Sequence, residues 1–151
     1  MRLKLAEIPG LELSAQAVWK VRALVFVSPE GDRNPTLAAL ERWIREYPKA
    51  YKNIIKVMKI ASLKTRVQNH KHVKRSSNPK HGEVYEMIAY RDVPRLFFFY
   101  EDGSDNLIIC TNEFEKSGGD QDAAFARCAC VRDLYMNQKN EQKYPSRQPA
   151  R

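Results

Sequence analysis

The sequence predicts an α+β fold, a twisted sheet packed by helices, and three patterns predict it. Residues 19–27 alternate before an apolar finish, two amphipathic helical periods meet at Pro48, and three strand-like runs between 83 and 111 precede one more helical period. At 151 residues with 43% hydrophobic and 10% aromatic content, the chain can bury one core without covalent staples, so one domain over 1–136 is expected.

In the first strand Lys20 and Arg22 alternate with Trp19, Val21 and Ala23, and Leu24–Val27 completes it. Ser28-Pro29-Glu30-Gly31-Asp32 supplies a turn. Asn34 and Pro35 then start a helix, because asparagine caps free N–H groups and proline lacks the one that would go unused. Leu37, Leu40, Trp43, Ile44 and Tyr47 mark its apolar face, and Tyr47-Pro48 ends it. The next helix places Tyr51, Ile54, Ile55, Met58 and Ala61 on one side and Lys49, Lys52, Lys56 and Lys59 on the other, making an αα-hairpin.

Residues 63–82 hold Lys64, Arg66, Lys71, Lys74, Arg75 and Lys80, all three histidines and no acid. Without an apolar period, and with Ser76-Ser77-Asn78-Pro79 and Gly82, the stretch reads as a long, mobile basic connection with room for a short strand near Val73. Glu83–Tyr90, Arg95–Tyr100 and Asn106–Thr111 read as an antiparallel meander. Ser117-Gly118-Gly119-Asp120 breaks it, and Ala124, Phe125, Cys128, Val131 and Tyr135 define the buried side of a final helix ending near Met136. The polar residues 137–151 read as a basic, disordered tail. Residues 1–17 are not placed by any such pattern.

The composition narrows the functional classes. No apolar run is long enough to cross a bilayer and residues 1–10 lack a signal-peptide core, which points to the cytoplasm and away from a membrane. Three cysteines do not make a disulfide framework, and Cys128 and Cys130 face different sides of a helix, so neither a shared metal nor a bridge between them is expected. A net charge of +8 favours a polyanionic partner. Anionic lipid and an acidic protein partner remain open.

Three runs carry a family resemblance: Val84-Tyr85-Glu86-Met87-Ile88-Ala89-Tyr90, Pro94-Arg95-Leu96-Phe97-Phe98-Phe99-Tyr100, and Cys110-Thr111-Asn112-Glu113-Phe114-Glu115-Lys116. Together they resemble the second half of the HigB-like, phage-associated branch of the RelE/ParE toxins, and the likeness extends over roughly residues 18–136. Tyr85 and Glu86 match that family's Tyr-Glu-Leu-Arg strand, Arg95 its strand arginine, and Phe114 and Lys116 its His-Gly-Phe-x-Lys-Lys stretch. Ile88, Asn112, Glu113 and Ser117 stand where the pattern has arginine, histidine, glycine and lysine. The resemblance implies a RelE-like fold and a type II toxin that cleaves mRNA at the ribosome without metal or organic cofactor, silenced by a cognate antitoxin. Gyrase-directed and non-catalytic relatives, including a phage or mobile-element regulator, are the alternatives.

Metal-free RNA cleavage needs a group to take the 2′-hydroxyl proton, a donor for the leaving oxygen and cations for the phosphorane. A preorganised donor aimed at developing charge is worth about 3–4 kcal/mol. Arg95 is the first choice, because it opens an apolar strand and its fork can hold a phosphate, the competing role being a pair with Glu86 or Glu113. Lys116 and Arg91 are further cation candidates. His81, His72, His70 and Glu113 are the candidate bases, with His81 favoured beside Gly82 at the mouth of the meander. Lys64, Arg66, Lys71, Lys74, Arg75 and Lys80, joined by Lys52 and Lys56 of the second helix, are the expected nucleic-acid contacts. Tyr135 falls in phase with Cys128 and Val131 and is expected in the core.

Overall fold

The structure, a computed structural model, describes residues 2–66, 69–89, 94–103, 105–115 and 120–143. Its elements are β1 (Arg2–Glu7), β2 (Lys20–Val27), α1 (Pro35–Glu46), α2 (Pro48–Leu63), β3 (Asn69–His70), β4 (Val73–Arg75), a 3-10 turn at Pro79–His81, β5 (Tyr85–Ile88), β6 (Arg95–Glu101), β7 (Leu107–Phe114) and α3 (Gln121–Lys143). The strands form one mixed sheet in the order β1-β2-β7-β6-β5-β4-β3. Only β2 and β7 run parallel among the described strands, with Lys20 opposite Leu107; the αα-hairpin lies within the connection between them.

The α+β class holds, and so does the expected order of strand, αα-hairpin, antiparallel meander and helix. Asn34 caps α1 as its sequence predicts, its side chain accepting from Leu37 N at 3.0 Å. The sheet separates two cores. Val21, Trp43, Ile54, Met58, Tyr85, Met87, Leu96, Phe98 and Ile108 pack on the α1–α2 side. Leu24, Phe97, Phe99, Ile109, Phe125 and Cys128 pack under α3. Period-two alternation along β5 and β6 distributes neighbouring residues between the two.

Residues 1–17, which no sequence pattern placed, contribute β1, which pairs antiparallel with β2 from Arg2↔Val27 to Glu7↔Arg22, and two expectations are revised. The short strand near Val73 is present as β4, but the basic stretch 63–82 is, over its described residues, a built edge of the sheet and not a loose connection: β3 and β4 form a hairpin, Val73 is buried, and Lys74 sits opposite Glu86. It stays ordered because acids just outside it supply partners. Arg66 hydrogen-bonds Glu83 at 2.8 Å and also Asp102, and lies 5.3 Å over the Tyr100 ring. The final helix continues past Met136 to Lys143, since polar residues of the supposed tail make specific contacts: Gln138 accepts from Leu3 N at 3.0 Å, and Lys139 pairs with the buried Glu101.

Gly82 joins the 3-10 turn to β5 with φ 70°, and a Cβ there would stand 2.9 Å from the Arg132 guanidinium. That guanidinium donates to the His81 carbonyl at 2.8 Å, so the turn is clamped onto α3. No described helix is long and apolar enough to cross a membrane.

Candidate functional site

Strand β5 carries one carboxylate among apolar residues. Tyr85 and Met87 turn toward α1 and α2, which sends Glu86 to the α3 side. There it is 4% exposed. Gln121, at the start of α3, donates its amide to the carboxylate, and Lys74 lies opposite on β4. Arg95 is paired with Ile88, two residues along, which makes it the diagonal neighbour of Glu86 on the same face. Burial pushes the Glu86 carboxyl above its ordinary value, and Gln121, Arg95 and Lys74 pull it only part of the way back.

Glu86 lines a cleft of about 370 Å³ between the sheet edge and α3. Lys74, Arg75, Ser76 and Ser77 form one wall, and Gln121, Asp122 and Phe125 the other. The combination sets two cations beside a carboxylate that accepts protons more readily than an ordinary one.

Each candidate can now be placed. Arg95 is half-buried, hydrogen-bonds the Pro94 carbonyl at 3.2 Å, and acts electrostatically on Glu86, one of the two acids named as its alternative partners. Lys116 and Arg91 lie outside the described residues. His81 is 6% exposed, its Nδ1 2.7 Å from Ser76 Oγ, its Nε2 3.8 Å from Asp122, and its ring stacked on Phe125. Three residues lining the cleft therefore rest on it, and it braces the wall where an open imidazole was expected. His72 is half-buried beside the hairpin. Glu113 pairs with Leu96 while Arg95 pairs with Phe114, so the two alternate onto different faces.

Glu113 instead lines a separate cleft of about 550 Å³ with Glu115, Asp120 and Arg127. Although larger, that cleft is acid-rich and repels a polyanion. Its Glu115 is bound by Arg42 and by Trp43 Nε1 at 2.9 Å; burial raises the Glu115 carboxyl, but these donors hold it below its ordinary value.

The basic residues divide by location. Lys74 and Arg75 line the Glu86 cleft; Lys64, Lys71 and Lys80 are exposed around that edge. Arg66 is taken up by Glu83 and Asp102, and Arg75 also lies 3.9 Å from Glu83. Lys52 and Lys56 project from the outer face of α2, on the opposite side of the sheet from Glu86, and do not join the cleft. Tyr135 is partly buried against Phe99 at 5.8 Å, and burial raises its hydroxyl. Among the described residues no group of three or more His, Cys, Asp or Glu is placed to hold a metal ion.

Glu86 and Gln121 are candidate site residues that the sequence did not single out as active groups. The signal for Glu86 was its isolation in an apolar strand; nothing local marks Gln121. Asn112, where the resembled pattern has histidine, is buried and donates to the Ala124 carbonyl at 3.1 Å, tying β7 to α3. Comparison with protein-family models, with curated proteins and with solved structures returns no match. The functional reading therefore rests on geometry and on the resemblance of the three runs.

Proposed function

We propose that this chain is an RNA-directed toxin of the RelE/ParE type, a metal-independent mRNA endoribonuclease acting at the ribosome and neutralised by a cognate antitoxin. The observation that carries the reading is the buried Glu86, with raised proton affinity, lining a cleft opposite Lys74 and with Arg95 as its diagonal neighbour on the sheet. Glu86 takes the proton of a ribose 2′-hydroxyl, the oxygen attacks the adjacent phosphate while Arg95 with Lys74 neutralises the phosphorane, and the bond to the 5′-oxygen breaks, leaving a 2′,3′-cyclic phosphate and a 5′-hydroxyl whose proton comes from the protonated Glu86 or from water. The strand order β2-β7-β6-β5, with the parallel pair β2–β7 connected through an αα-hairpin, supports a RelE-like architecture.

A non-catalytic or gyrase-directed protein on the same fold is favoured by one observation. Asn112 is spent on holding α3, so the site has no imidazole where the resembled pattern carries one.

The test is inducible expression of the wild type and of Arg95→Ala, with growth followed and RNA 5′ ends mapped in the same cultures. Growth arrest with new cleavage sites, both lost in Arg95→Ala, is expected. Arrest without cleavage supports the binding or gyrase reading, and no arrest overturns the toxin reading.

A further inference from the structure

At the side of the sheet away from the Glu86 cleft, β1 pairs with β2, and among the described residues no strand lies along its other edge. Two contacts show which of its peptide groups face outward. Phe26, the partner of Leu3 in β2, exchanges both of its backbone hydrogen bonds with Arg33, each 2.8 Å, so Leu3 and Phe26 are a pair that shares none. Leu3 N–H accordingly donates at 3.0 Å to the Gln138 side chain of α3. By the alternation of a strand, Leu3, Leu5 and Glu7 direct their N–H and C=O groups away from β2, and Gln138 covers the first of them.

An open edge is a template for another strand, and proteins commonly blunt it with a proline, a bulge or free charge. β1 holds no proline, and its register with β2 is unbroken from Arg2 to Glu7. Two of its charges are already engaged within the chain: Lys4 Nζ lies 2.9 Å from Asp32, and Glu7 lies 3.8 Å from Arg22. Turned antiparallel on itself about Leu5, the strand sets Leu5 against Leu5 of a second copy, Lys4 against Ala6, and Leu3 against Glu7. No like charges meet. The outward groups then fall into step, Leu5 bonding Leu5 and Leu3 exchanging bonds with Glu7. An axis at Lys4 would oppose two lysines, and one at Ala6 would overlap fewer residues of β1.

We infer that β1 is the contact of a symmetric dimer, in which two copies join their sheets edge to edge about a two-fold axis at Leu5, independently of the Glu86 cleft. The half-buried Leu5 side chains, which pack toward α3, meet across the axis and cover one another. Both clefts stay open, because each lies by β4 and β5, at the far side of its own sheet.

Sedimentation equilibrium of the full-length protein is expected to show monomer and dimer in concentration-dependent exchange. Glu7→Pro removes an outward N–H that β2 does not use, so the fold, followed by circular dichroism, is kept while dimerisation weakens at least about tenfold. Gln138→Ala frees Leu3 N–H and is expected to tighten the dimer about threefold, the reverse of what a loosened fold would do. The register is read by mild oxidation in a Cys130→Ser background, where the remaining cysteines are buried. There Lys4→Cys/Ala6→Cys is expected to give a disulfide-linked dimer, and Lys4→Cys alone is not. A monomer at every concentration, a dimer indifferent to both Glu7→Pro and Gln138→Ala, or cross-linking by Lys4→Cys alone overturns the proposal.

Discussion

The Glu86 cleft and the outer face of α2 are both basic, yet their charges are of different kinds. Lys74 and Arg95 are tied to a buried carboxylate whose proton affinity they help set, while Lys49, Lys52, Lys56 and Lys59 stand in solvent. Coulombic interactions in water are screened within about 10 Å at ordinary salt, but persist where water is excluded. Positive charge on α2 can therefore steer a partner, whereas in the cleft the same sign of charge can alter chemistry. The number of cations would not have separated the two; the burial of one acid does.

Glu86→Gln tests that contrast most strongly. The amide keeps the shape and can accept from Gln121 but cannot take a proton, so RNA cleavage is expected to fall at least about 100-fold. Thermal stability at neutral pH is expected to rise, because the ionised carboxylate is held in an unfavourable setting. Loss of cleavage with loss of stability would instead make Glu86 a structural residue. Glu115 offers the opposite case. Glu115→Gln removes a charge that Arg42 and Trp43 hold, and is expected to cost about 1–2 kcal/mol in chemical denaturation, a modest figure because Arg42 is partly exposed.

The two carboxylates also give opposite pH signatures. Stability from Glu115, whose folded value is depressed, is fully present above the ordinary value of about 4.5 and is lost as pH falls through the depressed value. Glu86 is raised, so its contribution is present below about 4.5 and is lost as pH rises through its folded value. Urea midpoints of wild type and Glu86→Gln should therefore converge as pH falls toward that point. A gap independent of pH would place the effect in packing. The smallest expected effect is for Lys52→Gln/Lys56→Gln, which should change stability by no more than about 0.5 kcal/mol; a larger loss would show that these lysines support the fold.

Periodicity made much of this molecule legible before its structure. Asn34 and Pro35 start α1 because their local chemistry allows little else, and Pro48 separates α1 from α2. The alternation of Arg2, Lys4 and Ala6 with Leu3, Leu5 and Glu7 was too weak to mark β1 without knowledge that β2 had an edge to offer. The final turns of α3 were hidden for a related reason: Gln138 and Lys139 look like tail residues until Leu3 and Glu101 are placed beside them. Arg95 was legible as an oddity in an apolar strand, and Glu86 carried the same mark. Its role depends on Gln121, thirty-five residues away in sequence, and on an edge strand built from residues that look like a loop.

The parallel pairing of Lys20 with Leu107 has a consequence for the order of events during synthesis. At about 5–20 residues per second, some 4–17 s separate the two residues, and for that time β2 waits with one edge unpaired. The αα-hairpin meanwhile holds only part of the surface it will cover. The cleft is later still, since its cation comes from β4, its acid from β5 and its amide from the start of α3. A nascent chain thus carries no assembled cleft until the start of α3, in the last third of the sequence, has been made.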